Sequence, residues 1–413
     1  MIESVAYVSY HTSPLLQPGI GDAGGMNVYV DELARTMTGR GITADVFTRC
    51  TDPGLHDVIE VVDGYRVIHI DAGPCEPLST ADQAPYVAEF AAGVQAWVDE
   101  DEVTYDVVHS HYWLSGWAGV LLKERWGIPL AHSFHTLGRI KDLSRRPDQA
   151  PASLMRIGTE DKVIEMANCV ISSTMFEHDD LVQHYGASLE ALCVSPPGVN
   201  HDVFAPGSRN DAREGLGIEF GPILLFVGRI QPLKGVDVAI ETLAVLRDQH
   251  PTARLVVVGG PSGPEGEAEL AHARLLAAKR GVGNEVVWKE PQPHDDLVEL
   301  YQAADVLLMP SRSESFGLVA AEAQASGLPV VAADVGGLAH VVAHEKSGIL
   351  VDGWNPVSFA AAIHRILEDD AYAESLAKGA IAHADQFSWD ATADRLMELY
   401  EGIRAASELD TAG

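Results

Sequence analysis

Two cations, Arg229 and Lys234, lie five residues apart on one short loop, Val227-Gly-Arg-Ile-Gln-Pro-Leu-Lys-Gly235. The loop ends an apolar run and leads into a helical pattern. Two cations beside a helix N-terminus suit a diphosphate whose negative charge grows as its partner departs. Without such a ligand they read as a solvated pair. A second constellation is Glu314-Ser-Phe-Gly-Leu-Val-Ala-Ala-Glu322, again between an apolar run and a helix. Its carboxylates can accept hydrogen bonds from sugar and ribose hydroxyls. The amides of Phe316, Gly317 and Leu318, at a helix start, can face phosphate oxygens. Alone, the two glutamates also fit an ordinary helix start.

The first half carries a matching set. Gly19-Ile-Gly-Asp-Ala-Gly-Gly-Met-Asn27 follows an apolar run and precedes a helix at Val28. Its glycines let backbone N–H groups approach an anion, or form a plain flexible loop. The glycine spacing departs from the dinucleotide fingerprint G-x-G-x-x-G, and no acidic residue closes the next strand. His109-Ser-His-Tyr-Trp113 and His132-Ser-Phe-His-Thr-Leu-Gly-Arg-Ile-Lys141 each follow a strand pattern. His135, Thr136, Tyr112, Arg139 and Lys141 are therefore expected to line an acceptor pocket, with Arg156 joining from the next helix.

These loops need a scaffold that brings strand ends together. Strand-like runs at Ser4–Tyr10, Ala44–Thr48, Arg66–Ile70, Val107–His109, Leu130–Phe134 and Val170–Ser173 alternate with helical patterns such as Val28–Arg40, Pro85–Val98 and Leu154–Ala167. That alternation predicts a doubly wound α/β unit. A second cycle follows the turn-rich stretch Pro196–Gly207, with strands at Ile223–Val227, Arg254–Val258, Val286–Trp288, Val306–Met309 and Val330–Ala333. Two Rossmann-like domains, 1–200 and 201–387, face a cleft, and ligands bind at the strand carboxyl ends. A tail, 388–413, is helical with Trp389, Leu396, Leu399 and Tyr400 apolar.

Composition narrows the classes. The chain has 413 residues, 46% hydrophobic, with a net charge of −32. That charge argues against nucleic acid and anionic membrane surfaces as partners, while a local positive site still admits a phosphorylated small molecule. No apolar stretch is long enough for a membrane span, and the start lacks signal-peptide features. The four cysteines form no C-x-x-C pair and read as reduced residues of a cytoplasmic protein.

Taken together, Val227-Gly-Arg-Ile with Lys234, and Glu314 with Glu322 in an E-x7-E arrangement, resemble glycosyltransferase family 4, whose members are retaining and adopt the GT-B fold. His11-Thr-Ser-Pro-Leu, Gln17-Pro-Gly, Gly21-Asp-Ala-Gly-Gly-Met-Asn27, His109-Ser-His-Tyr-Trp-Leu-Ser-Gly116 and Gly259-Gly-Pro-Ser-Gly263 look like the branch of mycothiol biosynthesis that moves N-acetylglucosamine from UDP onto inositol phosphate. The likeness runs from about residue 4 to about residue 405. It implies a donor site of Gln17, Pro18, Gly25, Arg229, Lys234, Glu314, Phe316, Gly317, Leu318 and Glu322. It implies an acceptor site of Asp22, Ala23, Gly24, Gly25, Met26, Asn27, Tyr112, Thr136 and Arg156. His135, Arg229, Lys234 and Glu314 would be catalytic, and the tail helix would cross back to the first domain. Thr80 stands where that branch carries a lysine for the acceptor phosphate. The segment His135–Lys141 also resembles sucrose-phosphate synthases, which use UDP-glucose and fructose 6-phosphate.

The resulting expectation is front-face displacement with retention, without a required cofactor or metal, because the cations take the place of one. The chemistry needs groups from both halves near one sugar, so an open resting state is expected to close on the nucleotide. An epimerase lacks its acid–base constellation here, a phosphorylase its pyridoxal-phosphate lysine signature, and a nicotinamide oxidoreductase its fingerprint. A non-catalytic binding protein fits poorly with a full donor set. A homodimer stays open.

Overall fold

The computed structural model describes residues 1–147, 149–218, 221–263 and 265–412. Among them, the first half builds an eight-stranded sheet from β1 (Ser4–Val8), β2 (Thr43–Arg49), β3 (Val58–Val62), β4 (Tyr65–Ile70), β5 (Val107–His111), β6 (Leu130–Ser133), β7 (Cys169–Ser172) and β8 (Leu192–Val194). Their order is β3-β4-β2-β1-β5-β6-β7-β8. Every pairing is parallel except β3 with β4. The second half builds a six-stranded parallel sheet from β9 (Ile223–Val227), β10 (Arg254–Val258), β11 (Val286–Lys289), β12 (Val306–Met309), β13 (Val330–Ala333) and β14 (Gly348–Val351). Its order is β11-β10-β9-β12-β13-β14.

Strands such as β9, Ile-Leu-Leu-Phe-Val, are apolar throughout because helices cover both faces of a parallel sheet. Each sheet has two buried clusters, one per face. The strand order reverses beside β1 in the first sheet and beside β9 in the second, and crevices open at such switch points. The loops leaving β1, β5, β9 and β12 carry the glycine loop, Tyr112, Arg229 and Glu314, so the topology alone gathers four of the expected groups.

The halves touch. Gln17 donates to the carbonyl of Pro291 at 2.9 Å, Arg229 Nη1 to that of Asp22 at 3.2 Å, and Ser315 Oγ to that of His135 at 2.6 Å. On the far rim Arg146 pairs with the buried Glu269 at 2.7 Å. The structure thus has the two domains in contact across the cleft.

The tail helix, Trp389–Ala412, buries Trp389, Ala393, Leu396 and Tyr400 in the same cluster as Tyr29, Val30 and Leu33 of the first domain. Arg40 pairs with Asp390 at 3.0 Å, and Tyr400 Oη meets His109 Nδ1 at 2.6 Å. The chain returns to the first domain, as expected.

One expectation is corrected. The four cysteines are joined as disulfides, Cys50 to Cys75 and Cys169 to Cys193. Cys169 and Cys193 lie on the neighbouring parallel strands β7 and β8, joined through a helix, and Cys50 and Cys75 follow the neighbouring parallel strands β2 and β4, between which β3 intervenes in sequence. A search for adjacent cysteine motifs cannot see that pairing. No helix among the described residues is long and apolar enough to cross a membrane.

Candidate active site

The interdomain cleft has a volume of about 1380 Å³. On the second-domain wall Lys234 Nζ lies 2.6 Å from Glu314 Oε2. Arg229, on the same loop as Lys234, sets its guanidinium against Gly24 of the first domain, where a Cβ would come within 3.1 Å of Nε. A side chain at Gly24 would press on that guanidinium, which would have to give by a few tenths of an ångström. Burial lowers the Arg229 pKa, with Asp22 opposing, so its charge is held in a poorly solvated place. Gly317 has φ of 106° and caps the helix Leu318–Ala325. Only glycine adopts that conformation cheaply. The amides of Phe316, Gly317 and Leu318 donate to none of the described carbonyls, and all three residues line the cleft. They form an anion-receptive rim.

Glu322 is 3% exposed. Its Oε1 accepts from His294 at 2.8 Å and its Oε2 from Tyr301 at 2.9 Å. Each carboxylate oxygen keeps a lone pair for a further hydroxyl.

The first-domain wall is strained where it meets the cleft. Tyr112 and His135, at the ends of β5 and β6, have φ of 78° and 57°. Such conformations cost of order 1–3 kcal/mol each and persist only where the surroundings over-determine them. His135 is over-determined. Its turn is closed by Thr136 N to the Phe134 carbonyl at 2.7 Å, its Nε2 meets His111 Nδ1 at 3.0 Å, and its carbonyl receives Ser315. Burial, with the neighbouring His11, lowers the His135 pKa to about 3. A neutral ring lining the cleft follows.

Arg156 is buried at the floor of this wall. Its Nε donates to Glu160 at 2.7 Å, Nη2 to the Thr136 carbonyl at 2.8 Å, and Nη1 to Tyr112 Oη at 3.3 Å. One Nη1 proton is left directed elsewhere. The Lys141 side chain lines the same space, its ammonium without a hydrogen bond or ion pair to any described residue. Burial lowers its pKa, and Arg156 and Arg229 add to the effect against Glu265 and Asp142. Across the cleft Thr80 Oγ1 donates to Asp22 Oδ2 at 3.2 Å.

Pro18, Asp22, Gly24, Gly25, Met26, Tyr112, His135, Thr136, Arg156, Arg229, Lys234, Glu314, Phe316, Gly317, Leu318 and Glu322 all line the cleft. Four expected residues do not. Gln17 turns to the Pro291 carbonyl, and Ala23 is 1% exposed beneath the loop. Asn27 spends its carboxamide inside that loop, donating to Thr12 Oγ1 at 2.9 Å and the Ser13 carbonyl at 2.7 Å, and accepting from Gly24 N at 2.8 Å. It shapes the glycine loop rather than facing it. Arg139 pairs with Asp161 at 2.8 Å and stacks over Tyr185, with 4.3 Å from guanidinium carbon to ring centroid. Local pairing on the helix surface draws it away.

Comparison with known proteins accords with this geometry. Residues 24–198 match the family described as Glycosyl transferase 4-like domain, and residues 208–383 match Glycosyl transferases group 1. A D-inositol 3-phosphate glycosyltransferase of Corynebacterium diphtheriae is 42% identical, covering 97% of this chain and 95% of that protein. One from Acidothermus cellulolyticus is 45% identical, covering 97% and 90%. The chain belongs to this glycosyltransferase family. Among solved structures, a sucrose-phosphate synthase from Thermosynechococcus elongatus superposes with a TM-score of 0.89 at 34% identity, covering 98% of this chain and all of that one. The fold is the two-domain GT-B fold.

His294, which lines the cleft, and Tyr301 and His111, buried behind Glu322 and His135, were not among the expected site residues. His294 donates to Glu322. Burial alone would lower its pKa, but Glu322, with Glu32 and Asp295 behind, raises it on balance. Tyr301 holds the other carboxylate oxygen. His111 abuts His135 from the neighbouring strand. The helical period marks Tyr301 only as core. His294 lies in a loop, with no motif around it. His111 stands within the motif His109-Ser-His-Tyr-Trp113, and its register opposite Ser133 sets it beside the turn that carries His135.

Proposed function

We propose that this glycosyltransferase moves a hexosyl unit, N-acetylglucosamine foremost, from a UDP-sugar onto a phosphorylated small acceptor, inositol phosphate foremost, with retention. The observation that carries the anionic acceptor is the convergence of Lys141, Arg156 and Arg229 on one space, with Lys141 unpaired. Arg156 and Arg229 both act to lower the Lys141 pKa there, and a bound phosphate would offset them. The inositol phosphate assignment is supported by the relatives named for that acceptor at 42–45% identity over nearly the full chain. Thr80, in place of a lysine, leaves the phosphate cation to Lys141.

In this reading the diphosphate binds between Arg229, Lys234 and the amides at Gly317, and displaces Lys234 from Glu314. Glu314 then holds the transferred sugar, Glu322 the ribose and His135 the sugar's hydroxymethyl side. The acceptor hydroxyl attacks on the face the diphosphate leaves, and a leaving phosphate oxygen takes its proton. Arg229 and Lys234 stabilise the charge that develops, and the cleft supplies position. No cofactor or metal takes part.

A panel of UDP- and GDP-sugars against inositol phosphate, fructose 6-phosphate and their unphosphorylated counterparts tests this. Fastest turnover with UDP-N-acetylglucosamine and inositol phosphate is expected. Preference for fructose 6-phosphate with UDP-glucose would favour a sucrose-phosphate-synthase-like activity, to which the His135–Lys141 segment and the structural match lend support. Preference for an unphosphorylated acceptor would reject the anionic-acceptor reading.

A further inference from the structure

Away from the cleft, two helices of the second domain bring metal-binding side chains together. His364 and Glu368 are four residues apart on the helix Pro356–Glu368 and so share a face. His250 follows the helix Val236–Leu246 and is held in place by its amide donating to the Leu246 carbonyl at 2.9 Å. His250 Nε2 lies 2.9 Å from His364 Nδ1 and 3.7 Å from Glu368 Oε1. The three ligand atoms all fall within 4.8 Å of one another. In a tetrahedral zinc site with Zn–N about 2.0–2.1 Å, ligand atoms stand roughly 3.3–3.4 Å apart, between the two observed separations.

We propose that His250, His364 and Glu368 bind one divalent transition-metal ion, zinc foremost. Two imidazoles and a carboxylate favour zinc, copper or nickel over magnesium or calcium, which prefer oxygen donors. Three protein ligands leave the fourth position to water. The ion ties the carboxyl ends of the two helices together. The first of these helices begins at Val236, directly after the Lys234–Gly235 loop, so the clamp holds the far end of the helix that presents the diphosphate cations. None of the three ligands lines the cleft, so the ion acts on the stability of the second domain and leaves turnover alone. The other metal-capable group among the described residues, Cys50, Asp71 and Cys75, has its sulfurs in a disulfide and does not compete.

The test uses tag-free, full-length protein, dialysed against chelator with its disulfides kept oxidised, and titrated calorimetrically with zinc alone. Expected are saturable binding of one equivalent, a rise in Tm with zinc but not with magnesium, and unchanged kcat. His364→Asn is expected to lower zinc affinity by at least about tenfold, the lower end of what losing a mere outer-shell partner does. The double variant His250→Asn, His364→Asn should abolish both the heat and the Tm rise while keeping the wild-type circular dichroism spectrum and turnover. Absence of saturable binding, equal binding by the folded double variant, or an equal effect of magnesium would overturn the proposal.

Discussion

Lys234 Nζ and Glu314 Oε2 are 2.6 Å apart, joining the loop after β9 to the loop after β12. The lysine proposed for a diphosphate and the carboxylate proposed for a sugar therefore hold each other in register. Lys234→Ala removes a contact that strengthens as charge develops and also frees Glu314. Turnover should fall by about 10²–10³, the scale for one preorganised donor. Steady-state kinetics on the folded variant check this, and unchanged kcat sinks the assignment.

His111 is the residue best placed to fix the His135 ring. His111→Phe should lower kcat with little change in acceptor KM. His111→Asn, which keeps a polar group near the Nδ1 position, should recover part of the loss. Equal kcat in all three proteins, at equal Tm, would show that His111 only fills space.

The buried histidines make the fold sensitive to acid. Burial lowers the pKa values of His11, His109 and His135 to about 3, and those of His111 and His132 well below the ordinary value. Unfolded, each binds a proton below about pH 6.5; folded, each stays neutral. The unfolded state thus binds more protons between about pH 3 and 6.5, so stability rises with pH across that window and is lost as pH falls. Each histidine contributes up to about 1.4 kcal/mol per pH unit. Urea unfolding from pH 7.5 to 5 should show a steep decline below 6.5. A flat profile would contradict the burial of these rings.

Arg156 is a poor probe of the acceptor site, because Arg156→Ala strands the fully buried Glu160, a change of about 3–5 kcal/mol. Lys141→Ala leaves no acid unpaired. It should raise acceptor KM far more than donor KM, and Thr80→Lys should partly restore acceptor affinity in that background. Equal donor and acceptor effects would place Lys141 outside the acceptor site.

The alternation of apolar runs showed both sheets, and the loops at their switch points could be named from residue type and spacing. What escaped was of three kinds. Short edge strands went unseen: β8 has three residues, and β3 is paired through Asp63-Gly64, a tight-turn signal present in the sequence. Side chains with local partners, Asn27 and Arg139, were assigned to the site because type and position cannot show which bonds are already made. Contacts between distant segments, such as His294 with Glu322 or Cys50 with Cys75, depend on packing that no local pattern carries.

The return of the tail helix to the first domain has a consequence for anyone recombining such enzymes. A cut near residue 200 does not yield two independent pieces, since the carboxyl-terminal residues Trp389, Leu396 and Tyr400 complete the core of the amino-terminal half. Chimeras that exchange second domains between relatives should therefore keep the last helix with the first domain, making the exchanged segment an internal insert rather than an end.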